Sequence, residues 1–384
     1  MLLFHPILRR FFASDQSSSV LLLLFTLLAL VIANSGFAGQ YHAFWHSHWM
    51  GLSLEEWVND GLMAIFFLLI GLELKRELYA GELSSLNDAL LPTVAAIGGM
   101  LTPALIFWAF NHGTAYQPGI GIPMATDIAF AIGVLSVLRS RVPVALKVFL
   151  VAFAVIDDLG AAIVIAVFYT SSISLVYLLA ALAVIACLLL LNRWQVRYML
   201  PYILGGVMVW WLTLQSGVHP TVAGVALAFT IPFARDDQDS LSHKLEHALY
   251  LPVAFLILPI FAFANTGLAI DMRSLQDMFS HSNSLGIIAG LLIGKPVGIA
   301  LAAWLAVKTG VCKLPSSLRW RHVIGAGILG GIGFTMSIFI TNLAFAGQPA
   351  LIQLSKMAIL TGSLFSGVFG WWWLRATLPN KVTT

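Results

Sequence analysis

Apolar residues run along this chain in long blocks separated by short polar connections. The blocks lie at about 17–35, 57–79, 89–110, 121–138, 145–169, 174–191, 199–214, 218–233, 248–269, 285–307, 322–346 and 351–374. A helix crossing a hydrocarbon core ~30 Å thick needs ~20 apolar residues, and most blocks reach or approach that length. The pattern predicts an all-α polytopic membrane protein with twelve transmembrane helices in a single membrane domain, 1–384. No polar stretch is long enough for a separate soluble domain.

The basic residues fix the order of the connections. Arg9, Arg10, Lys75, Arg76, Arg139, Arg141, Lys147, Arg193, Arg197, Arg235, Lys244, Lys308, Lys313, Arg319, Arg321, Arg375 and Lys381 all fall on one side of a twelve-span chain. Arg273 alone falls on the other, and Lys295 and Lys356 lie inside blocks. Basic loops face the cytoplasm, so both termini are expected there. One missed helix would invert every later connection, so the alternation also checks the count.

Composition supports the same class. The 384 residues are 59% hydrophobic and 10% charged, against about 25% charged in soluble domains. The net charge of +3 reflects topology and predicts no nucleic-acid partner. Cys187 and Cys312 form no disulfide framework and match no metal-ligand spacing. The N-terminus, MLLFHPILRRFFASD, does not read as a signal peptide, because its arginines follow the first apolar residues.

Within this background the fifth block carries two adjacent acids, Asp157 and Asp158, as its only charges after Lys147. At ~1.5 Å per residue they lie ~15 Å deep. An aspartate at a helix centre costs roughly 2.5–3.5 kcal/mol for insertion, while each Leu, Ile, Phe or Val contributes only ~0.3–0.6. A helix that merely spans would do better without them, and an intramembrane acid is a functional-site hypothesis by default. Asp127 and Lys295 reach a similar depth on blocks 4 and 10. Asp157 and Asp158 differ by ~100° around the helix, so one can face a cavity while the other pairs with Lys295. The plain structural alternative is a set of buried ion pairs tying helices together. Acids in excess of bases argue against it, since a surplus carboxylate can hold either a proton or a small cation.

Blocks 4 and 11 look interrupted. In GIGIPMATDIAFAIG, Pro123 removes a helix donor just before Thr126 and Asp127. In GAGILGGIGFTMS, Gly330, Gly331 and Gly333 follow Gly325 and Gly327 and precede Thr335. Glycines in membrane helices also serve close packing, and for block 11 both readings stand. Each interrupted block is the middle of three, 3–5 and 10–12, which suggests inverted repeats at 89–170 and 285–374. The helices within 17–79 and 174–269 then form a scaffold. Paired interrupted helices of this kind point to a transporter site.

Other polar groups are less distinctive. Glu73, Lys75, Arg76 and Glu77 end block 2, and His243, Lys244, Glu246 and His247 begin block 9. They read either as ordinary headgroup charges or as a pH-sensing cluster, because histidine beside acid titrates near physiological pH. His219, in SGVHPTVAG, reads as a loop or interface residue. The first outside connection, 36–56, is long enough for a small hairpin near Gly51–Leu54. His46 and His48 there have strand-like metal-ligand spacing but read as interfacial residues.

Several function classes fit mid-membrane acids less well. A channel would ring a pore and needs no paired broken helices. A sodium-coupled symporter of organic anions needs room and donors for its solute. An intramembrane aspartyl protease needs facing aspartates, normally on separate helices, and no Gly-x-Gly-Asp occurs.

Taken together, NDGLMAIFFLLIGLELKREL (59–78), PMATDIAFAIGVL (123–135), AVIDDLGAA (154–162), SGVHPTVAG (216–224), LPIFAFANTG (258–267), GLLIGKPVGI (290–299) and GIGFTMSIFI (331–340) resemble the NhaA-type sodium/proton antiporter family of the bacterial inner membrane. The likeness covers nearly the whole chain from RRFFASD onward. That family is itself among the transporters from which the rule about paired interrupted helices is drawn.

The resemblance implies pH-regulated export of sodium or lithium against entering protons, by alternating access, with no cofactor beyond the transported ions. It implies Asp158 as main sodium ligand and Asp157 as its neighbour, paired with Lys295 and sharing in sodium and proton exchange. Thr126 and Asp127 would lie at the helix-4 break. Asp127 would offset facing helix N-termini and Lys295 the opposing C-termini. Asp60 matches a helix-2 acid. Glu73, Arg76, Glu77, Lys244, Glu246 and His247 match a pH-response region, and His219 a histidine tied to it. The 36–56 hairpin resembles a homodimer contact. Anionic lipid is implied near Arg193 and Arg197, although Tyr198 stands where the family's basic pair would continue.

Overall fold

The computed structural model describes residues 15–138, 141–170, 173–235 and 240–379. Arg9, Arg10, Arg139, Lys381 and most of the RRFFASD stretch lie outside them. The helices are α1 (Asp15–Ala33), α2 (Ala38–Trp45), α3 (Leu54–Tyr79), α4 (Leu86–Asn111), α5 (Ile128–Val137), α6 (Val144–Phe168), α7 (Leu175–Arg193), α8 (Met199–Ser216), α9 (Thr221–Thr230), α10 (Leu241–Asn265), α11 (Met272–Ser280), α12 (Ser282–Lys308), α13 (Trp320–Gly330), α14 (Phe334–Ala344) and α15 (Pro349–Thr377). Among the described residues, nine helical stretches are long and apolar enough to cross a membrane, and α13 with α14 forms a tenth span bent by 45°. The chain is a helical multi-pass membrane protein. Leu179, Leu182, Leu189 and Leu190 of α7 and Leu200, Leu204 and Val207 of α8 stay exposed, as side chains facing lipid do.

Two elements depart from the expected blocks. The first outside connection contains α2 as well as the hairpin, whose strands β1 (His48–Trp49) and β2 (Leu52–Ser53) pair antiparallel. Met50 and Gly51 turn it, both at positive φ, the conformation that two-residue hairpin loops require. The eighth block forms only the ten-residue α9, ~15 Å long. His219-Pro220 precedes it and the chain leaves extended at Ile231-Pro232. Its exit carbonyls are satisfied from α3, because buried Lys75 donates to Ala228 O and Phe229 O (3.3 Å each) and to Ile231 O. A lysine expected as a topology marker is thus a helix C-cap, where a cation opposes the dipole.

The helices of 89–170 pack on those of 285–374. α4 runs along α12, α6 packs on α4 and α13, and α15 covers α12, α13 and α14. Where α4 meets α12, Gly98 and Gly298 face each other. A Cβ on either would lie 2.4 or 2.2 Å from the other's carbonyl oxygen, so only glycine allows this approach. Lipid tails are as apolar as leucine, so helix association here depends on such close packing. A second group holds α9 against α3, α8 against α7 and α9, and α10 against α1 and α3. Between the groups, α1 lies on α5, α3 and α9 touch α6, and α10 touches α14.

Candidate functional site: a charged crossing of two broken helices

Both interrupted blocks are broken. The fourth runs as a 3-10 helix, Gln117–Met124, then extended through Ala125–Asp127, then as α5. Pro123 sits at the end of the 3-10 helix and cannot donate to an α-helical continuation. The eleventh leaves helix after Gly330 and resumes at Phe334. Gly331 lies there so close to Leu291 O that a Cβ would stand 2.4 Å from it, and Gly333 lies beside Ser337. Break and close packing are therefore the same feature. The two breaks touch through Asp127 N, which donates to Ile332 O (2.6 Å).

Asp127 closes two helix ends at once. Phe130 N of α5 donates to its Oδ1 (3.0 Å). Thr335 N of α14 donates to its Oδ2 (3.0 Å), as does Thr335 Oγ1. One carboxylate thus faces the positive ends of both half-helices. Ser363 of α15 accepts from Phe334 N (3.1 Å), and Ser337 donates to Ile122 O (2.7 Å).

Lys295 stands opposite. Its Nζ donates to Asp157 Oδ2 (2.7 Å) and Thr126 Oγ1 (2.8 Å), and Thr126 Oγ1 passes the contact to Gly330 O (2.8 Å), the last residue of α13. Phe153 covers the ammonium at 5.5 Å. A π-helical turn, Gly290–Gly294, precedes Lys295. Pro296 follows it and cannot donate to the carbonyl one turn back. Extra turns of this kind gather at functional sites. The other carboxylate oxygens lack protein partners: Asp157 Oδ1 and both oxygens of Asp158 are buried and unbonded. Asp157 and Asp158 are each 1% exposed and Lys295 is 0% exposed. An unpaired buried charge is strongly disfavoured, so Asp158 is suited to carry a proton or a cation. Among the described residues no three His, Cys, Asp or Glu side chains are grouped to hold a resident metal. The site offers a hard cation oxygen ligands and little else.

The remaining sequence candidates form two outlying groups. Arg76 of α3 pairs with Glu77 (3.1 Å) and with Glu246 of α10. Glu73 lies one turn before Glu77 on α3. Lys244 and His247 are exposed. His219, read from sequence as a loop residue, instead contacts Asp60 through Nε2 (3.3 Å) and Thr221 Oγ1 through Nδ1 (2.8 Å). His46 lies 3.7 Å from Glu55 on the exposed hairpin side. Sequence reasoning passed over Ser337, Ser363 and the capping role of Lys75. Intramembrane serines were a visible signal, but their partners lie on other helices.

This arrangement defines the class, helical membrane transporters whose charged site sits at the crossing of two discontinuous helices. The model of the Na+/H+ antiporter 1 family matches residues 9–374, and the chain belongs to that family. It is 60% identical over 373 residues to the Na(+)/H(+) antiporter NhaA of Dechloromonas aromatica, covering 96% of each chain. It is 51% identical over 386 residues to the NhaA of Citrobacter koseri, covering 98% of this chain and 99% of that one. Its fold resembles that of the sodium proton antiporter MjNhaP1 from Methanocaldococcus jannaschii, with a TM-score of 0.55 at 17% identity over 93% of this chain and 92% of the other.

Proposed function

We propose that this protein is a pH-regulated antiporter that exports sodium or lithium from the cytoplasm in exchange for protons entering from outside. The observation that carries the reading is the carboxylate pair at the crossing. Lys295 pairs with Asp157 through Oδ2 alone, and Asp158 has two buried oxygens without protein partners. Sodium or lithium binds Asp158, with Asp157 Oδ1 beside it, after protons leave. Protons arriving from the other side displace the cation. Asp127 and Lys295 stay in place and balance the facing helix ends. Turnover moves ions and makes no covalent bond.

The helices of 89–170 and 285–374 are read as inverted repeats that move as a core against the scaffold of 17–79 and 174–269, in a twelve-span topology. The protein is placed in the bacterial inner membrane with both termini cytoplasmic, on the side rich in Lys and Arg. Glu73, Arg76, Glu77, Lys244, Glu246, His247 and His219 adjust the response to pH. The 36–56 hairpin joins two copies, with anionic lipid near the exposed Arg193 and Arg197.

The test is sodium-driven dissipation of a pH gradient in proteoliposomes from pH 6 to 9. The wild type exchanges, faster as pH rises and the acids release protons. Asp158→Asn loses exchange, because its amide cannot take up and release the proton. Exchange retained in that variant refutes the site, and no exchange by the inserted wild type refutes the activity.

A further inference from the structure

One face of α14 runs from the charged crossing to the hairpin side of the molecule. Thr335 holds Asp127 at its start. One turn on, Phe339 is fully buried. It comes from the core, but its ring meets three side chains of the scaffold: Phe67 of α3 (5.8 Å between centroids), Phe261 of α10 (6.2 Å) and His219 (5.4 Å). Nearly another turn on, Asn342 Nδ2 donates to Asn265 Oδ1 of α10 (2.6 Å), and Asn265 Nδ2 donates to Asn59 Oδ1 of α3 (2.9 Å). Asn265 is 1% exposed and also donates to Phe261 O (3.0 Å). Asn342 lies seven residues beyond Thr335, on the order of 10 Å along the helix.

We propose that this face is the hairpin-side gate. Phe339 is the apolar barrier between the carboxylate site and that side, and the bond from Asn342 to Asn265 is the latch that holds it shut, with Asn59 orienting Asn265 from within the scaffold. The proposal rests on the alternating-access reading and names residues that reading does not. The chemistry suits a reversible closure. A buried phenyl ring stops a hydrated cation, because no oxygen replaces the cation's water. Asparagines that bond one another when closed can bond water when open, so the latch biases the equilibrium without freezing it. The stripe also links gate and site, since the first turn of the helix that carries the barrier is bonded to Asp127 through Thr335.

A latch acts on one state only, so its loss shifts a population. A net hydrogen bond of the usual strength corresponds to about a three- to tenfold shift. The measurement is exchange by oriented proteoliposomes with sodium presented at either face, for the wild type, Asn342→Ala and Asn342→Leu. Asn342 is only half-buried, and folding is checked by thermal unfolding. The expected result is a change of about three- to tenfold in the ratio of the two apparent KM values, with hairpin-side KM falling relative to the other. A folded Asn342→Ala or Asn342→Leu variant whose two KM values move together, or not at all, overturns the latch. Wild-type protein without exchange would instead sink the antiporter reading on which it rests.

Discussion

At the scale of single residues, the chemistry rests on a count of charges. Three acids and one lysine at mid-depth were visible because charge inside an apolar block is conspicuous, and spacing from the helix ends gave their depth. What the sequence could not show was which oxygen each group meets. Asp157 and Asp158 are neighbours in the chain, yet one is ion-paired and the other unbonded, because ~100° of helix rotation separates them. That division predicts how the pair behaves. Removing Lys295 leaves Asp157 buried without a counter-charge, and breaking a buried pair costs about 3–5 kcal/mol. Lys295→Met is expected to lose that much stability, and Lys295→Met with Asp157→Asn to recover most of it. Chemical unfolding of the two single variants and the double in detergent measures the coupling. A double variant no more stable than Lys295→Met would show that the pair does not hold this region together.

At the scale of elements, the breaks were legible and their satisfaction was not. Pro123 marks a place where an α-helix has no reason to continue, whereas the glycine run left a break and close packing both open. They do not reveal that Asp127 closes α5 and α14 together, since Thr335 lies 208 residues further on. Nor did one lysine near a helix end disclose that it caps α9. A Lys at a block boundary looks the same whether it faces headgroups or carbonyls. The half-length α9 was missed for the same reason, since apolar content continues past Thr230 while the helix does not. Because Asp127 serves two caps, its truncation should act as two lost caps, each about 1–2 kcal/mol. Asp127→Ala is expected to cost about 2–4 kcal/mol, and Asp127→Asn less, because its one amide oxygen still accepts. Hydrogen exchange should show the Phe130 and Thr335 amides opening together in the alanine variant. Loss of protection at only one of them would mean that the two half-helices are held independently.

At the scale of the whole molecule, the question is how polar groups far from the crossing affect it. The Arg76–Glu77–Glu246 group joins α3 to α10 near the basic ends of both helices. α3 and α10 also touch α6 and α14 of the core proposed to move, which gives a change in how they sit against each other a route to the site. The Arg76 side chain is 38% exposed, while those of Glu77 and Glu246 are 12% and 10% exposed. Removing the cation leaves two largely buried acids without their counter-charge, which disfavours their ionised form. A pH response follows, because acids that lose their cation release protons less readily and do so at higher pH. Arg76→Gln is therefore expected to shift the pH profile of sodium/proton exchange toward alkaline pH by roughly half a unit or more, with some loss of thermal stability and the maximal rate preserved. The sign is informative, since a shift toward acid pH would mean that Arg76 acts by holding α3 and α10 in position rather than through its charge. An unshifted profile in a folded variant would reduce the group to an ordinary pair of helix ends, which is the other reading the sequence allowed.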